Sequence, residues 1–316
     1  SANAGELTVT GGASLTYVSI GTETTGNPYG MASAVSFKGT GELDNGWTVD
    51  LSIAHTNAGA YSNTNVTIGI PGLGDVRLDQ GVSGTGIMRM DDMTPSAWEE
   101  ADGAGLSAGI NKITGGSAGG TIQYTPSMAP EGLDVKIAWS PDADGSSSVG
   151  DKGTGGSSGV EGSAWDLTVE ASDAAHGIAG LTVYGGISQV EQYVNASAYS
   201  GDREETVFGF KYAAGNFTVG AQITDEDTGQ TGTTGYENTS YSVSFNINDN
   251  LSVSYGHTES DESGAGLPTA EADSIQAAYT MGGATVRIAE VDVENAAYST
   301  AATADSDATI ISLGLA

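Results

Sequence analysis

The chain has 316 residues, with 40 acids against nine bases and a formal net charge of −31. That balance excludes nucleic acid as a partner, because phosphate binding draws on a surplus of Lys and Arg. Cysteine is absent and the three histidines are scattered, so zinc centres and nucleophilic catalysis have no visible residue set to work with.

The first residues, Ser1-Ala2-Asn3-Ala4-Gly5, lack a basic and then apolar leader and read as the start of a mature exported chain. From there apolar and polar residues alternate with period two, the pattern of strands with two different faces. Examples are Trp47-Thr48-Val49-Asp50-Leu51-Ser52-Ile53, Leu133-Asp134-Val135-Lys136-Ile137 and Tyr241-Ser242-Val243-Ser244-Phe245. The segments in order are 5–20, 31–43, 46–57, 64–70, 73–79, 118–125, 131–140, 163–173, 180–191, 203–214, 216–225, 236–247, 250–260, 271–282, 284–294 and 306–316, sixteen in all. Leu106-Ser107-Ala108-Gly109-Ile110 alternates weakly and is assigned to a loop.

The connections carry more information than the strands. After even-numbered strands they are tight: Asn45-Gly46, Pro71-Gly72, Gly215-Asn216, Asn248-Asp249-Asn250 and Gly282-Gly283. After odd-numbered strands they are long and polar, the longest spanning 80–117. Sorting by parity puts all long loops at one end, as in a transmembrane barrel. The expected fold is all-β: one domain over 1–316, a 16-stranded antiparallel transmembrane barrel.

A barrel of this width has a wet interior, so the apolar face turns to lipid and the polar face to the lumen. Parity then sends Lys38, Arg77, Lys136, Lys211 and Arg287 inward; a base at mid-depth on the lipid face would cost about 2–4 kcal/mol. The long connection holds Asp91, Asp92, Glu99, Glu100 and Asp102, besides Arg89 and Lys112. Within it Thr94-Pro95-Ser96-Ala97-Trp98-Glu99 reads as an N-cap, a first-turn proline and a short helix. Two readings stand: a constriction folded into the lumen, with its acids opposing the basic wall, or an acidic solvated loop outside.

The mature start before a first strand (Gly5-Glu6-Leu7-Thr8-Val9-Thr10-Gly11), the sixteen strands, the longest loop after the fifth and the run Gly41-Glu42-Leu43-Asp44-Asn45-Gly46-Trp47 together resemble the bacterial general-diffusion porins, particularly those of alphaproteobacteria. The resemblance covers the whole chain. It implies a homotrimer in the Gram-negative outer membrane, in contact with lipid and lipopolysaccharide, passing small hydrophilic solutes without a required cofactor. It also implies an eyelet formed by the third loop, with Asp91, Asp92, Glu99 and Glu100 facing Lys38, Arg77 and Lys136. Two departures stand out. Thr94-Pro95-Ser96-Ala97-Trp98 replaces the Pro-Glu-Phe-Gly-Gly motif often carried by that loop. The chain also ends Leu313-Gly314-Leu315-Ala316, without the family's usual terminal aromatic, so the sequence is expected to stop slightly short.

A net negative lumen would enrich cations. Calcium is a further candidate ligand at acidic outer loops, at Asp225, Glu226 and Asp227 and at Asp142 with Asp144; solvated charge is the plainer reading of each cluster. The Gly/Ser-rich stretches 115–120 and 153–159 lack the Lys-Ser/Thr of a phosphate loop. The alternatives to a general channel are a substrate-specific porin and an acidic, calcium-dependent surface adhesin whose strands pack their apolar faces together.

Overall fold

The alternating segments do form strands, and the strands close on themselves. The computed structural model describes residues 3–20, 29–56, 60–79, 84–116, 120–143, 160–193, 198–232, 235–264 and 266–315. The strands are β1 (Asn3–Ile20), β2 (Tyr29–Glu42), β3 (Thr48–Thr56), β4 (Ala60–Ile70), β5 (Gly74–Asp79), β6 (Thr121–Pro126), β7 (Leu133–Ser140) and β8 (Glu161–Ala171). They continue as β9 (Leu181–Gln192), β10 (Arg203–Ala214), β11 (Phe217–Asp227), β12 (Gly235–Asn248), β13 (Leu251–Glu262), β14 (Ala270–Met281), β15 (Ala284–Glu294) and β16 (Ser306–Leu315). Each pairs antiparallel with its neighbours in sequence, and β16 pairs with β1 from Leu315 opposite Ala13 to Ala308 opposite Ile20. Among the described residues the sheet closes with no free edge strand, the one sheet arrangement that satisfies every backbone group within a bilayer.

The tight turns sit where the sequence puts them. Gly46, at φ 81°, closes the β2–β3 turn by donating its N–H to Leu43 at 2.8 Å, a conformation open to glycine at little cost. The β8–β9 turn holds a single helical turn, α1 (Asp173–His176), and His176 Nδ1 accepts the Ile178 N–H at 3.2 Å.

Apolar side chains on the outer face are left uncovered: Leu7 is 71% exposed, Phe208 62% and Ile275 64%. That is the reverse of a soluble β-protein, in which these faces would pack together, and the packing that the adhesin alternative requires is not met. Outward aromatics gather toward strand ends. Trp139 stands opposite Trp165, and Phe217 lies against Phe245 with ring centroids 4.3 Å apart. Rings with an apolar body and a polar or polarisable edge favour the headgroup level.

In one respect the interior differs from expectation. The sequence reading takes the inner face as too hydrated to pack a core, yet Ala272, Ala289, Val291, Ala308 and Ile310 form a buried cluster inside the barrel. On β15 the polarity inverts along the strand: Val286 and Ile288 face out around inward Arg287, whereas farther on Glu290, Asp292 and Glu294 face out and Ala289, Val291 and Val293 face in. The physical reason is coverage. The long connection after β5 lies over this inner wall and keeps water from it, while the loop-side end of the strand presents its outer face to a polar zone.

The same alternation corrects the placement of one acidic cluster. Asp225, Glu226 and Asp227 end β11 instead of lying in a loop. Glu226 is buried toward the lumen, whereas Asp225 and Asp227 are exposed on the other face, so the three do not converge. Asp142 follows β7, and Asp144 lies outside the described residues, as do the 153–159 stretch and most of the 141–162 connection. Among the described residues no group of three or more His, Asp and Glu side chains is arranged to hold a metal.

Candidate constriction site

The connection between β5 and β6 turns into the barrel and follows the inner wall. A 3-10 helix, Gly86–Met90, begins its described part. The Gly86 and Ile87 N–H groups donate to Gln123 Oε1 (3.0 Å) and Asp166 Oδ2 (3.1 Å) on β6 and β8. Ile87 and Met90 are wholly buried against Tyr184 and Val207 of β9 and β10. Four consecutive strands then take the backbone in turn. Gln222 on β11 donates to the Asp91 carbonyl (3.0 Å), and Ser242 on β12 donates to that of Pro95 (2.6 Å). Ser254 on β13 accepts from the Ala97 N–H (2.9 Å). Gln276 on β14 accepts from Trp98 and Glu99 (3.0 Å each) and donates to the Glu99 carbonyl (2.7 Å).

The helix expected at 94–99 is absent. The Trp98 and Glu99 N–H groups, which a helical turn would direct to its own carbonyls, go to the wall instead, as does that of Ala97; every buried backbone donor needs one partner, and here side chains of the barrel supply it. Past Ala101, Ala104 and Ala108, which pack on the inner apolar cluster, the loop returns at a second level. Thr114 and Gly115 donate to the carboxylate of Glu205 on β10 (3.1 and 2.6 Å), and Gly116 to Asp166 (3.4 Å).

The five predicted loop acids separate into different roles. Asp92 and Glu99 are exposed, while Asp91 and Glu100 are partly covered. Asp102 is buried and accepts from the Ala108 N–H and from Ser107 Oγ (3.1 Å), so it shapes its own loop. Lys112 pairs with Glu100 at 2.5 Å and lies 3.9 Å from Asp102. The register turns all five predicted wall bases inward: Lys38 sits opposite Ser52, Arg77 opposite Gln123, Lys136 opposite Thr168, Lys211 opposite Gly220 and Arg287 opposite Ser312. Arg77 pairs with Asp79 (2.6 Å) and Lys136 with Asp134, which also holds Arg89 at 3.4 Å. The Lys211 ammonium stands 6.0 Å from the centre of the Tyr184 ring. The loop's hydrogen bonds to the wall fall on β6–β8 and β10–β14, so Lys38 on β2 stands across the lumen's uncovered side.

A barrel of sixteen strands with its fifth connection folded inside is matched by a known family: the profile of Gram-negative porins fits residues 1–316. The chain belongs to the Gram-negative porin family. Solved porins share its architecture at low identity. Salmonella typhi OmpF, in complex with daunomycin, is 15% identical with a TM-score of 0.72, over 98% of this chain and 97% of that one. A porin refined at 1.8 Å is 14% identical with a TM-score of 0.67, over 98% and 99%. An anion-selective porin from Comamonas acidovorans is 14% identical with a TM-score of 0.63, over 98% and 99%. No curated protein matches the sequence. This porin is therefore a channel-forming barrel of the outer membrane and not an enzyme.

In this porin the charges of the inward-folded loop perturb one another. Burial, reinforced by the neighbouring Asp92 charge, pushes the Asp91 carboxyl up to about 7. Burial and then the Glu100 charge raise Glu99. Asp102 is raised by burial against the opposing pull of its Ala108 hydrogen bond. Lys112 is desolvated, which lowers it, but the contact with Glu100 and the charges of Asp102 and Asp91 outweigh that and leave it raised. Asp91, Asp92, Glu100 and Lys112 share a cavity of about 20 Å³ with Gln222 and Asn238 of the wall, room for about one water molecule.

The anchors carry little mark in the sequence. Gln276, Ser254, Ser242 and Gln222 are ordinary polar residues on the inward parity of their strands. Glu205 gave a faint signal, a carboxylate turned inward beside inward Arg203, and the two pair at 2.6 Å. Nothing in the local sequence marked Tyr298, whose hydroxyl reaches the loop backbone.

Proposed function

We propose that this porin is a general-diffusion channel for small hydrophilic solutes and ions, with a preference for cations, and that the 80–117 connection forms its constriction. One observation carries the reading: two of the five inward wall bases, and Arg89 and Lys112 of the loop, are already matched by carboxylates. Arg77 has Asp79, Lys136 has Asp134 and Lys112 has Glu100. Asp92 and Glu99 remain exposed on the loop with no ion pair among the described residues. A surplus of fixed negative charge in a narrow, low-dielectric passage raises the local cation concentration.

The anion selectivity of the Comamonas acidovorans porin belongs to that protein, and its likeness to this chain is one of fold. The sign of selectivity comes from the side chains that line each lumen. Reversal potentials across planar bilayers under a KCl gradient test the proposal: a potential on the cation side supports it, and zero or anion-side potential sinks it.

The same reading takes the channel as a homotrimer held in outer-membrane lipid and lipopolysaccharide. The exposed apolar outer face supports a lipid-embedded assembly. Migration of unheated and heated samples on detergent gels separates trimer from monomer.

A further inference from the structure

The β15–β16 connection contains a backbone feature that the channel reading leaves unused. Asn295, Ala297 and Tyr298 have φ of 53°, 53° and 57°, and they are the only non-glycine residues at positive φ among those described. In that region Cβ crowds the following carbonyl, and only asparagine among the three tolerates it well. Such a conformation persists when surrounding contacts over-determine it; Asn295 is held by Asp305 and Thr269 (2.9 Å each), and Ala297 and Tyr298 by the constriction loop.

Ala297 donates its N–H to the Ala108 carbonyl at 2.7 Å. The Tyr298 hydroxyl accepts the Asn111 N–H at 3.1 Å and shares a hydrogen bond with Ser260 Oγ at 2.8 Å. Its ring lies 5.5 Å from that of Tyr236, and the residue is 8% exposed. Gly109, at φ +64°, packs on Ala297: a Cβ there would lie 3.5 Å from the Ala297 Cβ, in ordinary contact. Asn111 is held in turn by Asn238 Nδ2 on its carbonyl (2.8 Å) and by Glu226 on its own amide. The next residue is Lys112, which pairs with Glu100 in the lumen.

We propose that the 295–298 turn is a strained latch on the returning limb of the constriction loop, with Tyr298 as the positioning residue that holds Asn111 and, through it, Lys112 against Glu100. Release relaxes the turn and frees the limb, so the constriction has two states and the latch sets their ratio. The inference rests on the reading of this loop as the constriction.

Three variants of the full-length porin, recorded in planar bilayers, test it. Tyr298→Phe keeps the ring and removes the hydroxyl; open-channel noise and brief closures are expected to rise several-fold. Ala297→Gly relieves strain in the latched state while keeping its N–H bond; noise is expected to fall below wild type. The double variant Gly109→Cys with Ala297→Cys uses the short Cβ separation, which suits a disulfide, in a chain that has no other cysteine. Oxidation is expected to quieten the channel and reductant to restore the fluctuations in the same preparation. Equal noise in the oxidised and reduced forms, or the same direction of change in the Phe and Gly variants, overturns the latch. The wild-type reversal potential is read separately, so failure of cation preference and failure of the latch are distinguishable.

Discussion

Gln276 and Glu99 are joined across both ends of one residue's backbone: Gln276 Oε1 accepts the Glu99 N–H at 3.0 Å, and its Nε2 donates to the Glu99 carbonyl at 2.7 Å. A side-chain amide here imitates the donor and acceptor of a neighbouring strand, so the loop tip is docked as if it were part of a sheet. The exposed Glu99 carboxylate is thereby fixed in the lumen by a residue the solute never needs to touch.

Gln276→Ala removes that docking and leaves three loop backbone groups to find water or remain unsatisfied. Each buried unsatisfied group costs about 1–3 kcal/mol. The expected outcome is a lower unfolding temperature and a weaker selectivity as Glu99 loses its fixed position. Gln276→Glu keeps the acceptor for Trp98 and Glu99 but loses the donor, and is expected to fall between. Thermal unfolding in detergent and reversal potentials check both.

Asp91 gives the lumen a pH response near neutrality. Its carboxyl is raised to about 7, by burial first and by Asp92 second. Acidification from about pH 8 to about pH 6 therefore adds a proton and removes a negative charge from the constriction. Cation preference is expected to fall over this window, and Asp91→Asn is expected to flatten the response while lowering preference at the alkaline end. Stability changes in the opposite direction: the folded value lies above the ordinary 3.8, so the contribution is complete below that ordinary value and is lost as pH rises through about 7. Reversal potentials across the pH series decide the matter.

Gly220 on β11 is small because the loop passes over it. An added Cβ would lie 2.5 Å from Pro95 Cδ and 3.0 Å from the Phe210 carbonyl oxygen. Gly220→Ala is expected to push the loop toward the lumen and lower single-channel conductance, with a stability cost of about 1–3 kcal/mol from overpacking. Unchanged conductance and stability would mean that the loop does not rest on this strand.

Glu205 anchors the returning limb through Thr114 and Gly115 and pairs with Arg203 at 2.6 Å. Its side chain is fully buried, and that of Arg203 is 11% exposed. Removing one partner of a buried pair costs about 3–5 kcal/mol. Glu205→Ala is therefore expected to lower the unfolding temperature more than Glu205→Gln, which retains an acceptor for the loop N–H groups. Thermal melts of the three proteins in one detergent check the order.

The strands were legible because period two is a local property, and a barrel wall separates lipid from water along its whole length. Thr48 through Ile53 alternate for that reason, and Asn45-Gly46 announces its turn by backbone preference alone. The inward course of Lys38, Arg77, Lys136, Lys211 and Arg287 was legible too, since parity fixes the face once one residue is placed. On β15 parity held where polarity did not: Glu290 and Val291 exchange the usual faces because the loop covers the inner wall.

The sequence alone determined the barrel, its strand count, the parity of its loops and the direction of each inward base, all consequences of alternation within a single strand and its turn. Only the tertiary structure decided which loop acids remain exposed. Asp92 and Glu99 look no different in sequence from Glu100, which Lys112 neutralises, or from Asp102, which Ala108 and Ser107 absorb. It also turned residues 94–99 away from helix, because Ser254 and Gln276 offer partners from strands more than a hundred residues distant. Those choices depend on contacts between segments that meet only after the barrel closes, and no local pattern encodes them.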